Sequence, residues 1–208
     1  MNQRALIRAW LLALAALLAA CSKSEPSSLS SCPPMDAGKP VDPTLLAFLS
    51  RARAAHHLAD DSESRDDFNA GTVPLERLVG GPLPHFGNEL APEVREVLAD
   101  TYARLADLHS RQGQFERALQ EVKQGLEHAR EPNYFRGHLL ETEGLIEERH
   151  AKALENNGDR VAATATRQRA IELLEQAMAV QSGVIERPLA APSPNASAAS
   201  PTPAASAP

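Results

Sequence analysis

The stretch PEVREVLADTYARLADLHSRQGQFERALQEVKQGLEHAREP, residues 92–132, decides the fold. In its first half Val94, Val97, Leu98, Tyr102, Leu105 and Leu108 recur every three to four positions. That is the stripe of an amphipathic helix with one face on a core. Gln112-Gly113 interrupts the pattern, and Phe115, Ala118, Leu119, Val122 and Leu126 begin a second stripe that ends at Glu131-Pro132. Glycine just past one helix and proline just past the next are stop signals, because the first permits a left-handed backbone and the second lacks a donor. The reading is a helical hairpin. No segment alternates with period two for long enough to argue a strand, so the expected class is all-α.

The spacing inside this hairpin resembles the tetratricopeptide repeat (TPR), a 34-residue pair of helices. Tyr102, Leu105-Ala106 and His109 stand at the signature positions of its first helix. Phe115, Ala118, Val122 and Gly125-Leu126 stand at those of its second, with His109 where the family usually has Tyr. Small residues at such positions let two helices approach closely while bulky neighbours fill the flanks. The resemblance implies a short solenoid that presents a groove to a partner protein.

Weaker versions of the pattern flank it. Downstream, Leu140 and Gly144 match a first helix, and Arg169-Ala170-Ile171 through Leu174 to Ala177-Met178 match a second. Gly144 and Ala170 lie 26 residues apart, against 12 for Ala106 and Ala118. The excess of 14 is one heptad in each arm, which keeps the facing stripes in phase across the Asn157-Gly158-Asp159 turn. This predicts helices over about Tyr134–Asn156 and Arg160–Ile185, the second capped by Asp159. Upstream, Ala55, Leu58-Ala59, Phe68, Gly71, Leu75 and Leu78-Val79 fit as well. Pro74 predicts that the second helix of this hairpin starts near Thr72 or Val73, with the proline in its first turn. Three hairpins at intervals of about 45 residues follow, the usual minimum for a stable stack.

The N-terminus carries a different signal. Arg4 and Arg8 form a positive start, and an apolar run of about 14 residues, Ile7 to Ala20, is broken only by Arg8. A bilayer core needs roughly 20 residues, so the run has the length of a signal-peptide core instead. It closes on Leu18-Ala19-Ala20-Cys21, which resembles the bacterial lipobox at all four positions. The resemblance implies lipidation of Cys21, cleavage before it and acylation of the new amine. Burial at ~0.8 kcal/mol per CH₂ makes two or three acyl chains an effectively permanent membrane anchor. Ser22, where an Asp would favour retention at the inner membrane, implies the periplasmic face of the outer membrane; the outer face of the cytoplasmic membrane is the alternative. With Cys21 consumed, Cys32 has no partner within the chain, and no structural disulfide is expected.

The expected organisation is therefore a signal peptide over 1–20, lipidated Cys21 with a linker to 41, a helical domain over 42–186 and a tail over 187–208. Residues 22–41 hold six Ser and four Pro, and as a coil they would reach roughly 25 Å. The 21 residues after Arg187 carry no charge and include six Pro, which predicts disorder with polyproline character. The formal charge of −6 becomes −8 when Arg4 and Arg8 leave, 19 basic residues standing against 27 acidic. An acidic chain without a basic cluster is a poor match for phosphate backbones, so no nucleic-acid partner is expected.

Chemistry is sparse. Glu147 and His150 have the Glu-x-x-His spacing of a metal-binding helix face, but di-iron bundles need two such motifs and further Glu, and none follows. Charge along this helix makes a solvent-facing coincidence the expectation. His56-His57 with Asp60 and Asp61 lack a third well-spaced ligand and read as a polar helix end. No phosphate loop, nucleophile elbow or Cys/His pair occurs, so no catalytic residue, metal or cofactor is expected. The connection Gly80 to Asn88, leading to Pro92, is longer than common helix–helix links and holds Leu83 and Phe86 in a Gly/Pro frame. These two residues either anchor a partner peptide or fold back to cap the groove between the first two hairpins.

These features predict a non-catalytic, membrane-anchored scaffold or assembly factor with a partner in the bacterial envelope. The plan of lipid, spacer and helical repeats resembles pilotin-like lipoproteins, which carry about six repeats. The alternatives are a structural lipoprotein that meets the cell wall through its tail and a metal-binding helical protein built on Glu147 and His150.

Overall fold

The computed structural model describes residues 42–190, with side chains through Glu186. Cys21, the linker to Val41 and the tail beyond Ala190 lie outside the described residues. Six helices follow in order: α1 (Pro43–Glu63), α2 (Phe68–Val79), α3 (Pro92–Arg111), α4 (Phe115–His128), α5 (Tyr134–Asn156) and α6 (Arg160–Ala190). Between α2 and α3 lie two-residue strands, β1 (His85–Phe86) and β2 (Glu89–Leu90). Consecutive helices pair as three antiparallel hairpins, α1 with α2, α3 with α4 and α5 with α6. The hairpins stack in sequence: α3 packs on both α1 and α2, and α5 packs on both α3 and α4. The fold is all-α.

Local chemistry sets the helix ends. Asp42, Asp67, Asn133 and Asp159 each turn a side-chain oxygen onto a backbone N–H of the first turn, satisfying donors that a helix start leaves free. The turns of the second and third hairpins close through Gly113 and Gly158 at φ of +76° and +87°, a backbone that costs glycine nothing.

Helix α3 has two apolar faces. Val94, Leu98, Leu105 and Leu108 enter a first core with Phe48, Ala52, Ala55 and Ala59 of α1 and Leu75 and Leu78 of α2. Ala99, Ala103 and Ala106 enter a second core with Ala118 and Val122 of α4 and Leu139 and Ile146 of α5. Small residues on the second face draw α4 and α5 close. A Cβ built on Gly125 would lie 2.5 Å from Leu139 Cδ2 and 3.1 Å from the Tyr102 Cβ, so only glycine fits there without movement.

Three expectations need correction. Helix α2 starts at Phe68 rather than near Thr72, and Pro74 lies inside it. The cap from Asp67 to the Ala70 N–H, at 3.0 Å, fixes the earlier start. The proline removes one hydrogen bond, to the carbonyl of Ala70, an exposed residue open to water. Burial of Leu75 and Leu78 offsets that loss. Second, a short hairpin exists where no strand was expected: His85 pairs with Leu90 and Phe86 with Glu89. Gly87 at φ +67° opens its two-residue turn, as the first central position of a type II′ turn requires. Third, α6 continues to Ala190, past Ile185 and through Pro188, so the first residues of the 187–208 segment are helical. A proline near the end of a helix removes a single bond to the preceding turn.

Candidate interaction site

The connection from Gly80 to Ala91 divides its large apolar residues Leu83, Phe86 and Leu90. Leu83 folds back and packs on the first core, together with Leu90. Phe86 does not: it stands 78% exposed at the end of β1. The connection is held at its base by Arg51, whose guanidinium donates to the Pro82 carbonyl at 3.1 Å, and by buried Pro84 and Ala91. Sequence reasoning offered anchoring and capping for the pair as a whole; the structure brings Leu83 to the cap and leaves Phe86 free. The Gly87-Asn88 pair ahead of Glu89-Leu90 was the available signal for the hairpin, though two residues per strand give no periodicity to detect.

Beside this hairpin lies a cleft of about 460 Å³ lined by Glu89, Leu90, Arg95, Glu96, His128 and Arg130, among others. It lies between β2, the start of α3 and the end of α4. The His128 imidazole stacks on Tyr102 with ring centroids 5.8 Å apart. A second hollow of about 460 Å³ lies over α2, α3 and α4, walled by Glu76, Tyr102, Arg117, Gln120, Glu121 and Gln124. At its edge His109, fully buried, donates from Nδ1 to Glu121 Oε2 at 2.7 Å, and Arg117 bridges Glu76 and Glu121. Burial of both His109 and Glu121 makes this pair a fastening between α3 and α4.

The first helices are linked by charge. Arg104 meets Asp60 and Glu63, and Arg111 meets Glu63 at 3.1 Å and Asp107 at 2.9 Å. Arg149 meets Asp107 at 2.8 Å and the Ser110 hydroxyl at 2.7 Å. This ladder crosses α1, α3 and α5, so each charge is matched within the chain.

The metal candidates resolve into the same kind of pairing. His56 Nε2 lies 3.1 Å from the Thr101 hydroxyl and Asp60 is engaged by Arg104, while Asp61 pairs with Arg65 at 2.6 Å. Glu147 is not solvent-facing as expected: it is 5% exposed and pairs with Arg169 Nε of α6 at 3.2 Å. His150 is half-buried and stacks on Phe115 at 4.6 Å. The helix that reads as charged in sequence turns Glu147 toward α6, where Arg169 compensates its burial. Among the described residues no group of three His, Cys, Asp or Glu side chains is placed to hold a metal ion, and no helix is long and apolar enough to cross a membrane.

The sequence matches no protein-family model, and a search of curated proteins gives no match either. The functional reading therefore rests on the chain's own residues.

Two imidazoles tie the stack to pH. Burial lowers the pKa of His56, with Arg104 acting in the same direction and Asp100 and Asp60 against it. Burial also lowers that of His128, where Glu127 opposes the shift and Arg130 and Arg95 add to it. A base with a depressed folded-state pKa takes up protons on unfolding, so its contribution to stability is complete above the unfolded value of about 6.5 and fades as pH falls below it. The melting temperature is expected to drop between pH 7.5 and pH 5.5. A His56→Gln/His128→Gln variant should show a shallower drop over that range; an unchanged slope by calorimetry would remove these two groups from the account.

Proposed function

We propose that the chain is a lipid-anchored docking protein of the bacterial envelope, with no chemistry of its own, that presents Phe86 to a protein partner. Its TPR-like hairpins serve as the rigid base. One observation carries this reading: a large aromatic side chain is held out in water, 78% exposed, by a connection whose other apolar residues are packed into the core. Transfer of such a ring into a partner's pocket contributes roughly 1.5–3 kcal/mol, and little ordering is left to oppose it because Arg51 and the β-hairpin already hold the connection. The neighbouring cleft, with Glu89, Glu96, Glu127 and Glu131 against Arg95 and Arg130, carries a net negative charge and favours a segment with basic side chains beside its pocket.

The anchor follows from Leu18-Ala19-Ala20-Cys21, with Ser22 favouring the periplasmic face of the outer membrane. A pilotin-like role in assembling an envelope complex fits the same plan of lipid, spacer and helices.

Placing a photo-reactive phenylalanine analogue at position 86 and irradiating native envelopes should give one repeatable adduct. The same probe at exposed Glu116 of α4 should not give it. Equal adducts from both positions, or none from position 86, would overturn the docking role.

A further inference from the structure

Helix α6 leaves the described stack beside the start of α5. Gly137 of α5 faces Gln181 of α6, where an added Cβ would lie 2.8 Å from Cγ, and Gly144 faces Leu174 Cγ at the same distance. That register sets Tyr134 level with Val184, so Ala190 lies six residues, about 9 Å, beyond it. At this corner Tyr134 is 60% exposed; among the described residues only Phe86 holds a Phe or Tyr ring further out in water. The Tyr134 ring stacks on the His138 imidazole, centroids 6.1 Å apart and 14° from parallel, and meets Phe135 edge-on at 5.5 Å. Glu141 continues the row: its Oε2 accepts from Gln181 Nε2 at 3.2 Å and lies 3.9 Å from His138 Nδ1. Tyr134, His138 and Glu141 recur at i, i+4 and i+7 and share one face of α5. The contact with Gln181 sets that face along α6.

We propose that this Tyr134–His138 platform takes Pro192-Ser193-Pro194 of the chain's own tail, with the aromatic faces packed against the two pyrrolidine rings. Reach selects the occupant. A polyproline segment advances about 3.1 Å per residue, so Pro194, four residues past Ala190, spans roughly 12 Å and returns to the level of Tyr134. The ring meets it part-way, because helical side chains lean toward the N-terminus of their helix, here the end of α5 at which α6 leaves. Chemistry agrees with reach: prolines held in a polyproline helix dock on aromatic faces at little entropic cost. Residues 191–208 carry no charge, so docking beside Glu141 strips no ion of the tail of its water. Tethering supplies the rest. A short link gives an effective concentration of about millimolar, at which a contact of millimolar affinity, too weak to hold a free peptide, is about half formed. The tail is then an internal ligand of the last hairpin rather than a free arm for the cell wall.

The full chain in detergent micelles provides the test. Tyr102 and Tyr134 are its two tyrosines, so incorporation of 3-fluorotyrosine gives two fluorine resonances, and Tyr134→Phe identifies the line of position 134. Pro192→Ser with Pro194→Ser, both beyond the last helix, should move that line by more than its own width and leave the Tyr102 line in place. Pro201→Ser with Pro203→Ser, a pair of the same spacing further from the platform, should move neither. The parent's Tyr134 line should also hold its position on dilution, as a contact within one chain requires. A Tyr134 line indifferent to Pro192 and Pro194 would overturn the contact. So would an equal shift from Pro201 and Pro203, or a line that moves on dilution, which would put the tail on a second copy.

Discussion

Gly125→Ala is expected to destabilise the protein, although alanine is the better helix former by about 0.8–1 kcal/mol. The new Cβ would stand 2.5 Å from Leu139 Cδ2, and the Tyr102 Cβ at 3.1 Å bars retreat on the other side because it is fixed to the backbone of α3. Leu139 is fully buried, so its methyl has no free space to swing into. Overpacking of this kind costs roughly 1–3 kcal/mol, which leaves a net loss of about 1 kcal/mol. Leu139→Ala alone should cost about 2–5 kcal/mol through the cavity it opens, a large share of the ~5–15 kcal/mol that holds a domain of this size. Together the two should cost less than their sum by about 1 kcal/mol or more, since the alanine methyl then occupies part of the cavity. Urea unfolding of the four proteins gives the coupling directly. Simple additivity within about 0.5 kcal/mol would show that α4 and α5 do not meet at Gly125 as described.

Cys21→Ser is expected to have the largest effect on where the protein resides. If the Leu18-Ala19-Ala20-Cys21 sequence is read as a lipobox, the serine form accepts no acyl chain and keeps its leader, because cleavage follows lipidation. Cells fed a labelled fatty acid should show label on the parent at mature length and none on the variant, which should run larger by the uncleaved leader. A serine variant that still matures and still carries label would end the lipoprotein reading. The serine form tests the anchor alone, and the photo-adduct at position 86 tests the docking surface alone.

Much of the architecture was legible in the chain. The heptad arithmetic between Gly144 and Ala170 located α5 at Tyr134–Asn156, as observed, because phase along a helix survives any detail of its environment. Asp159 capped α6 as its chemistry predicted. Position-specific costs were harder to weigh. Pro74 reads as a helix start when only the lost hydrogen bond is counted, whereas the Asp67 cap and the burial of Leu75 and Leu78 outweigh it. Glu147 reads as surface on a charged helix, and only the fold reveals that Arg169, 22 residues away, comes round to meet it. The candidate site divided similarly. Leu83 and Phe86 were visible as unusual residues in an unusual connection, but their opposite fates depend on a two-residue hairpin too short to leave a pattern.

The two unequal faces of α3 give the stack a direction. The first core sets the alanines of α1 among the leucines of α3, and the second sets the alanines of α3 among Leu139 and Ile146 of α5. Every junction thus joins a slim leading side to a broad trailing side, like courses of tongue-and-groove board. A duplicated middle hairpin would inherit both halves of that joint and slot between its neighbours without redesign, so a lineage could lengthen this protein one board at a time.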